Sequence, residues 1–182
     1  LSPSQDVNTE GPDQRLSEAA EIVDGILAAT RHAYSPLVLL ASDSPGAASA
    51  LLHHLGDLRT TPVVNLSSAL AAALIELKPR ERVRKVPAAV EAIAAGATAA
   101  WALLDHIELL FEPSLRRDAI AVLEQVSRRV PLLVAWPGEW DGRELRYGPV
   151  QHPERMPPHR PEGISVVRVG PNYSIDTGAE IA

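Results

Sequence analysis

The chain has 182 residues, of which 46% are hydrophobic and 22% charged, with a net charge of −6 and no cysteine. That size and composition fit one globular domain with a sizeable core, and the missing cysteines exclude disulfides, thiolate metal centres and a cysteine nucleophile. The negative balance excludes a general electrostatic attraction to nucleic acid, and the longest apolar candidate, "AIAAGATAAWALL", falls short of the roughly 18 residues that a membrane span needs.

Residues 1–16 lack a basic region followed by an apolar one. They read as a flexible tail rather than a secretory signal, with residues 17–182 as the single domain and the cytoplasm as the expected location. From Ser17, Ile22, Val23, Ile26 and Leu27 recur at helical spacing behind a capping serine. "PLVLLA", 36–41, is a continuous apolar run of strand length, the pattern of a strand covered on both faces. A loop follows, and 49–55 reads as a helix stopped by Gly56. "TPVVNL", 61–66, is a second short strand, and the serines of "NLSSALAAALIELK" suit the start of another helix.

"KPRERVRK", 78–85, reads as a basic connector, before a helix over 87–96 with proline at its start and glycine at its end. "AAWALLDHIELLF", 99–111, supplies a third strand ending near Asp105, and 113–129 is an amphipathic helix leading into a fourth buried strand, "VPLLVAW". Seven of the 16 prolines then fall between Pro131 and Pro161, which rules out a helix there. "EWDGRELRY" predicts a small hairpin turning at Asp141 and Gly142, and "GISVVRVG", 163–170, a fifth strand. Strands alternating with helices imply a three-layer α/β fold with a mostly parallel five-stranded sheet.

In such a sheet ligands bind at the carboxyl ends of the strands, and the first strand-to-helix turn is the usual phosphate site. That turn is "ASDSPGAASALL", 41–52. A phosphate loop reads G-x-x-x-x-G-K-[ST]: its glycines let the backbone approach the phosphates, its lysine meets the β and γ phosphates, and its hydroxyl holds magnesium. With Ser49 at the hydroxyl position, Ser42 and Ala47 take the glycine positions and Ala48 the lysine position. Shifting the register to use Gly46 still leaves an alanine for the lysine. Pro45 has no N–H to donate, and Asp43 adds a negative charge. A missing charge-assisted hydrogen bond weakens binding by about 1.5–3 kcal/mol, roughly 10- to 150-fold.

Asp105, at a buried strand end, stands where an acid orients magnesium in nucleotide-binding proteins of this architecture, and Glu108 follows three residues on. As a pair they equally suit capping of the next segment. Trp136 occupies a further strand end and reads as an aromatic packed on the hairpin. The five basic residues and one acid of 78–85 read as a solvated linker or as a docking patch through Arg80, Arg82, Arg84 and Lys85. His53 and His54 are adjacent and point about 100° apart on a helix, so they do not share a metal. His106 beside Asp105 lacks a nucleophile motif.

Four segments, "PLVLLASDSPGAASALL", "PVVNLSSALAAALIEL", "WALLDHIELLF" and "VAWPGEWDGRELRYGPVQHPE", resemble the small P-loop proteins of bacteriophage-exclusion (BREX) defence systems, the BrxF family, over about residues 20–170. The resemblance implies a P-loop NTPase-like fold of the additional-strand (ASCE) type, with strand order 5-1-4-3-2, the small hairpin before the last strand and no lid domain. It carries nucleotide-binding roles to Ser42, Gly46 and Ser49, a magnesium role to Asp105 with Ser49, and a catalytic, water-positioning role to Glu108. The family reads like G-P-P-G-S-G-K-T where this chain reads S-D-S-P-G-A-A-S. The expectation is therefore a pseudo-NTPase, an accessory assembly or regulatory subunit of anti-phage defence that requires no cofactor. Its partners would be other proteins of the defence cluster or further copies of itself, with weak or indirect nucleic-acid contact and no membrane. The alternative is an NTPase binding Mg-ATP or Mg-GTP through a loop completed by a partner's cation. A weaker one is a nucleic-acid adaptor using Arg80, Arg82, Arg84 and Lys85.

Overall fold

A computed structural model describes residues 11–97, 99–148, 152 and 154–176. The first strand, β1 (Leu37–Ala41), is buried along its whole length. Successive side chains point to opposite faces, so Leu37, Leu39 and Ala41 join one hydrophobic cluster while Val38 and Leu40 join another. Among the described residues five helices cover the two faces: α1 (Pro12–Thr30), α2 (Ala47–Arg59), α3 (Leu66–Leu74), α4 (Pro79–Ala95) and α5 (Ala119–Ser127). Helices α1 and α2 close the Val38 side, and α3, α4 and α5 close the Leu37 side.

The remaining strands are β2 (Val63–Asn65), β3 (Ala102–Asp105), β4 (Leu132–Ala135), β5 (Glu139–Trp140), β6 (Leu145–Tyr147), β7 (Met156–His159), β8 (Ser165–Val169) and β9 (Ile175–Asp176). The main sheet has six strands in the order β2-β3-β4-β1-β8-β9. All pairings are parallel except β8 with β9. The expected five-stranded sheet thus gains a sixth strand, because Pro171–Tyr173 forms a 3-10 turn that sends the chain back along β8. No described helix is long and apolar enough to cross a membrane.

Several boundaries differ from expectation for identifiable reasons. Helix α1 starts at Pro12, not Ser17, with proline in its first turn; Ser17 lies inside and donates to the carbonyl of Asp13. Residues 1–10 of the expected tail lie outside the described residues. Gly56 does not stop α2: a Cβ there would lie 2.9 Å from the Thr61 carbonyl oxygen, so glycine lets the helix cross β2 closely, and the helix ends three residues later at Arg59, with Thr60 as its C-cap. The helix expected over 113–129 begins at Ala119, capped by Asp118 accepting from the Ala121 N–H, after a 3-10 turn and a left-handed Arg116.

The basic segment is not a connector. One helix, α4, runs from Pro79 to Ala95 and contains Pro87. Glu81 accepts from the Lys78 N–H to close the first turn. Pro87 has no N–H to give the carbonyl four residues back, and Arg117 Nε donates to that carbonyl, Val83, at 2.8 Å. The side chain substitutes for the missing backbone bond, and the helix continues through the proline.

The expected hairpin is the first half of a three-stranded antiparallel sheet, β5-β6-β7. Its turn is fixed by Asp141, whose Oδ1 accepts from the N–H groups of Arg143 and Glu144. The prolines of β7 are tolerated because it is an edge strand. Trp136, Trp140 and Leu145 dock this sheet on the α3–α5 side of the core. Phe111 stacks on Tyr147 at 3.8 Å and meets Trp136 edge-on at 5.5 Å.

Candidate functional site

The order β3-β4-β1 brings three strand ends together: Asp105 closing β3, Trp136 after β4 and the 42–46 loop after β1. Between them lies a cleft of about 310 Å³, lined by Ser42, Gly46, Ser49, Asp105, Glu108 and Trp136 among others. The structure thus collects every expected nucleotide, metal and catalytic residue at one place.

Each of those residues already has internal work. Ser42 Oγ donates to the Val169 carbonyl at 2.6 Å and accepts from the Ser44 N–H at 3.0 Å, tying the loop to β8. Gly46 adopts a left-handed φ of 78° as the N-cap of α2, a conformation that favours glycine. Ser49 Oγ donates to Asp105 Oδ2, and His53 Nε2 lies 3.1 Å from the same oxygen. Asp105 Oδ1 accepts from the His106 N–H at 2.8 Å. A buried carboxylate needs this kind of satisfaction, and Asp105 is 4% exposed. Glu108 sits on a 3-10 turn, its carboxylate 3.7 Å from His106 Nδ1.

The lysine position is buried as well as apolar: Ala48 is 6% exposed and packs in the α1–α2 cluster. A guanidinium does reach the loop, from Arg168 at the end of β8, but it pairs with Asp43. That hydrogen bond and charge hold Arg168 above its ordinary value. No group of three or more His, Asp or Glu side chains among the described residues is placed to hold a metal ion. Asp105 with Ser49 supplies two oxygens suited to magnesium; a cation there would have to replace the hydrogen bond they share.

Trp136 is buried, and its Nε1 donates to the Arg146 carbonyl at 3.2 Å, so it anchors the small sheet. An adjoining hollow of about 530 Å³ shares His106 and Glu108 and adds Asn65, Ser67 and Glu154. Its polar groups also brace the scaffold, since Asn65 caps α3 and Ser67 Oγ accepts from the Leu109 N–H. Burial first, then Glu154 and Glu108, hold the nearby Tyr147 phenol above its ordinary value.

The expected basic cluster is split. Arg80, Arg84 and Lys85 are exposed, whereas Arg82 turns to the end of α3, donating to the carbonyls of Leu77 and Ile75. His53 and Arg168 are the two site residues that sequence reasoning missed. For His53 the signal was present, because Ser49 and His53 are four apart and share a helix face. For Arg168 none was, because its partner Asp43 is 125 residues away.

Comparison with protein families, curated proteins and solved structures finds no match to this chain.

Proposed function

We propose that this chain is a P-loop-like module without nucleotide chemistry, acting as an assembly or regulatory subunit. The observation that carries the reading is the buried Ala48 at the lysine position. The order β8-β1-β4-β3-β2 within the sheet supports a P-loop origin for the scaffold, as does the Ser49–Asp105 contact at its centre. The polar groups of the loop serve the fold, and Asp43 neutralises the cation nearest to it. The resemblance of four segments to BREX proteins is what supports the further proposal of a role in cytoplasmic anti-phage defence, with other proteins of that system as partners.

Isothermal titration calorimetry with Mg-ATP and Mg-GTP tests the loss of chemistry. The chain is expected to give no micromolar binding, and the double substitution Ala47→Gly, Ala48→Lys to improve affinity by about 10- to 150-fold, the worth of one charge-assisted hydrogen bond. Micromolar binding by the parent chain that disappears in Asp105→Ala would overturn the proposal. It would favour the second reading, an NTPase with Asp105 and Ser49 on magnesium, Glu108 positioning water and Arg168, released from Asp43, as the cation.

A further inference from the structure

The exposed flank of α4 carries a second kind of surface. Pro87 lies on the same side as Arg80 and Arg84, about 20° and 60° away around a helix that turns about 100° per residue. The carbonyl that Pro87 leaves free is where Arg117 is anchored. The proline thereby recruits the guanidinium of Arg117, 30 residues on in sequence, to the flank that already presents Arg80 and Arg84, one turn apart. Arg117 is exposed and held through Nε, and its two terminal nitrogens, the half of the fork that meets phosphate oxygens, make no hydrogen bond among the described residues. Lys85 is exposed about 100° round the helix from Arg84 and about 140° from Arg80, so the three exposed side chains span a sector of about 140°. None of these four cations forms an ion pair or a side-chain contact with a carboxylate among the described residues.

From these features we infer that the Arg80, Arg84, Lys85 and Arg117 flank of α4 binds the phosphate backbone of duplex nucleic acid without reading its sequence. Residues 78–85 carry five bases and one acid in a chain of net charge −6, and the exposed Arg80, Arg84, Lys85 and Arg117 concentrate positive charge on this flank. An acidic protein partner fits less well, because protein interfaces centre on apolar or aromatic anchors. The exposed large apolar side chain near α4, Ile75, lies across the helix, its carbonyl held by Arg82, which is about 200° from Arg80. Among the described residues no exposed aromatic accompanies the four cations, so base stacking contributes nothing.

The test is fluorescence anisotropy of a labelled mixed-sequence 20-base-pair DNA duplex titrated with the full chain between about 50 and 200 mM NaCl. Each phosphate neutralised contributes a slope of about −0.9 in log K against log salt, so three to four contacts give about −3 to −4. The variant R80Q/R84Q/K85Q is expected to bind at least tenfold more weakly at about 50 mM salt, with a slope near −1. All three side chains are exposed, so its thermal melt should match the parent. Absence of duplex binding at low salt, or a triple variant with the parent's affinity and slope, overturns the inference. Tight binding of polyglutamate by the parent without duplex binding also overturns it, assigning the flank to an acidic protein.

Discussion

The turn after β1 and the flank of α4 are both polar, and they use polarity in opposite ways. At the turn, Ser42, Ser49, Asp43 and Asp105 are each satisfied by a neighbour within the fold. On the flank of α4, Arg80, Arg84, Lys85 and the attached Arg117 keep charge facing solvent. A group whose bonds are made internally stabilises the fold and has little left for a ligand, whereas a cation without a carboxylate partner has its full charge to offer. The place where the topology puts a ligand site is therefore the more structural of the two, and the helix that the sequence disguises as a linker is the more available.

The largest effect expected from this contrast falls on Asp105. Replacing it by alanine strips a partner from the Ser49 hydroxyl, the His53 ring and the His106 N–H together. A hydrogen bond to a carboxylate is worth about 1.5–3 kcal/mol; with the donors half-buried or exposed, water replaces part of what the three lose, and urea denaturation of Asp105→Ala should show a loss of about 3 kcal/mol in all. A site kept for catalysis behaves the other way, because ligand-facing acids are commonly held at some cost to stability and their removal is neutral or stabilising. An unchanged or raised midpoint would therefore break the comparison on its structural side.

Pro87 gives a smaller effect of opposite sign. Proline inside a helix costs up to about 3 kcal/mol relative to alanine, and part of that is already offset by the Arg117 bond to Val83. Pro87→Ala should raise stability by about 1–2 kcal/mol, read from the urea midpoint. The new N–H also competes with Arg117 for the Val83 carbonyl, so the same variant should bind duplex DNA a few-fold more weakly despite being more stable. Stability and binding moving apart in one substitution would tie Arg117 to the surface; both rising would untie it.

How much of this was legible in the sequence depends on the range of the interactions involved. The strands β1, β3 and β4 announce themselves because strands buried on both faces must be apolar throughout, and the position of the loop between β1 and α2 follows from the alternation of elements. The missing lysine is readable from one residue, Ala48. Pro87 misleads, because its local meaning is a helix start, and the bond that lets the helix continue is made to Val83 by Arg117, 34 positions from that carbonyl in sequence. Gly56 misleads similarly: its reason is the backbone of Thr61 and the side chain of Val63 pressing against it. Strand β9 has only two residues, and its pairing with β8 depends on the turn at Pro171–Tyr173 rather than on any hydrophobic pattern of its own.

The smallest expected effect separates two contacts that share the turn. Asp43 and Arg168 form an ion pair with side chains 53% and 41% exposed, a setting in which attraction is largely screened. Ser42, one residue away, holds the Val169 carbonyl through a half-buried bond that salt does not reach. Asp43→Ala should therefore leave the urea midpoint nearly where it was, and any small difference from the parent should vanish in about 1 M NaCl, where the screening length shrinks to about 3 Å. A midpoint shift that persists in that salt would mean that Asp43 belongs to the internal network with Ser42 and Asp105. Arg168 would then be locked into the scaffold, and the second reading would lose the cation that it requires at the loop.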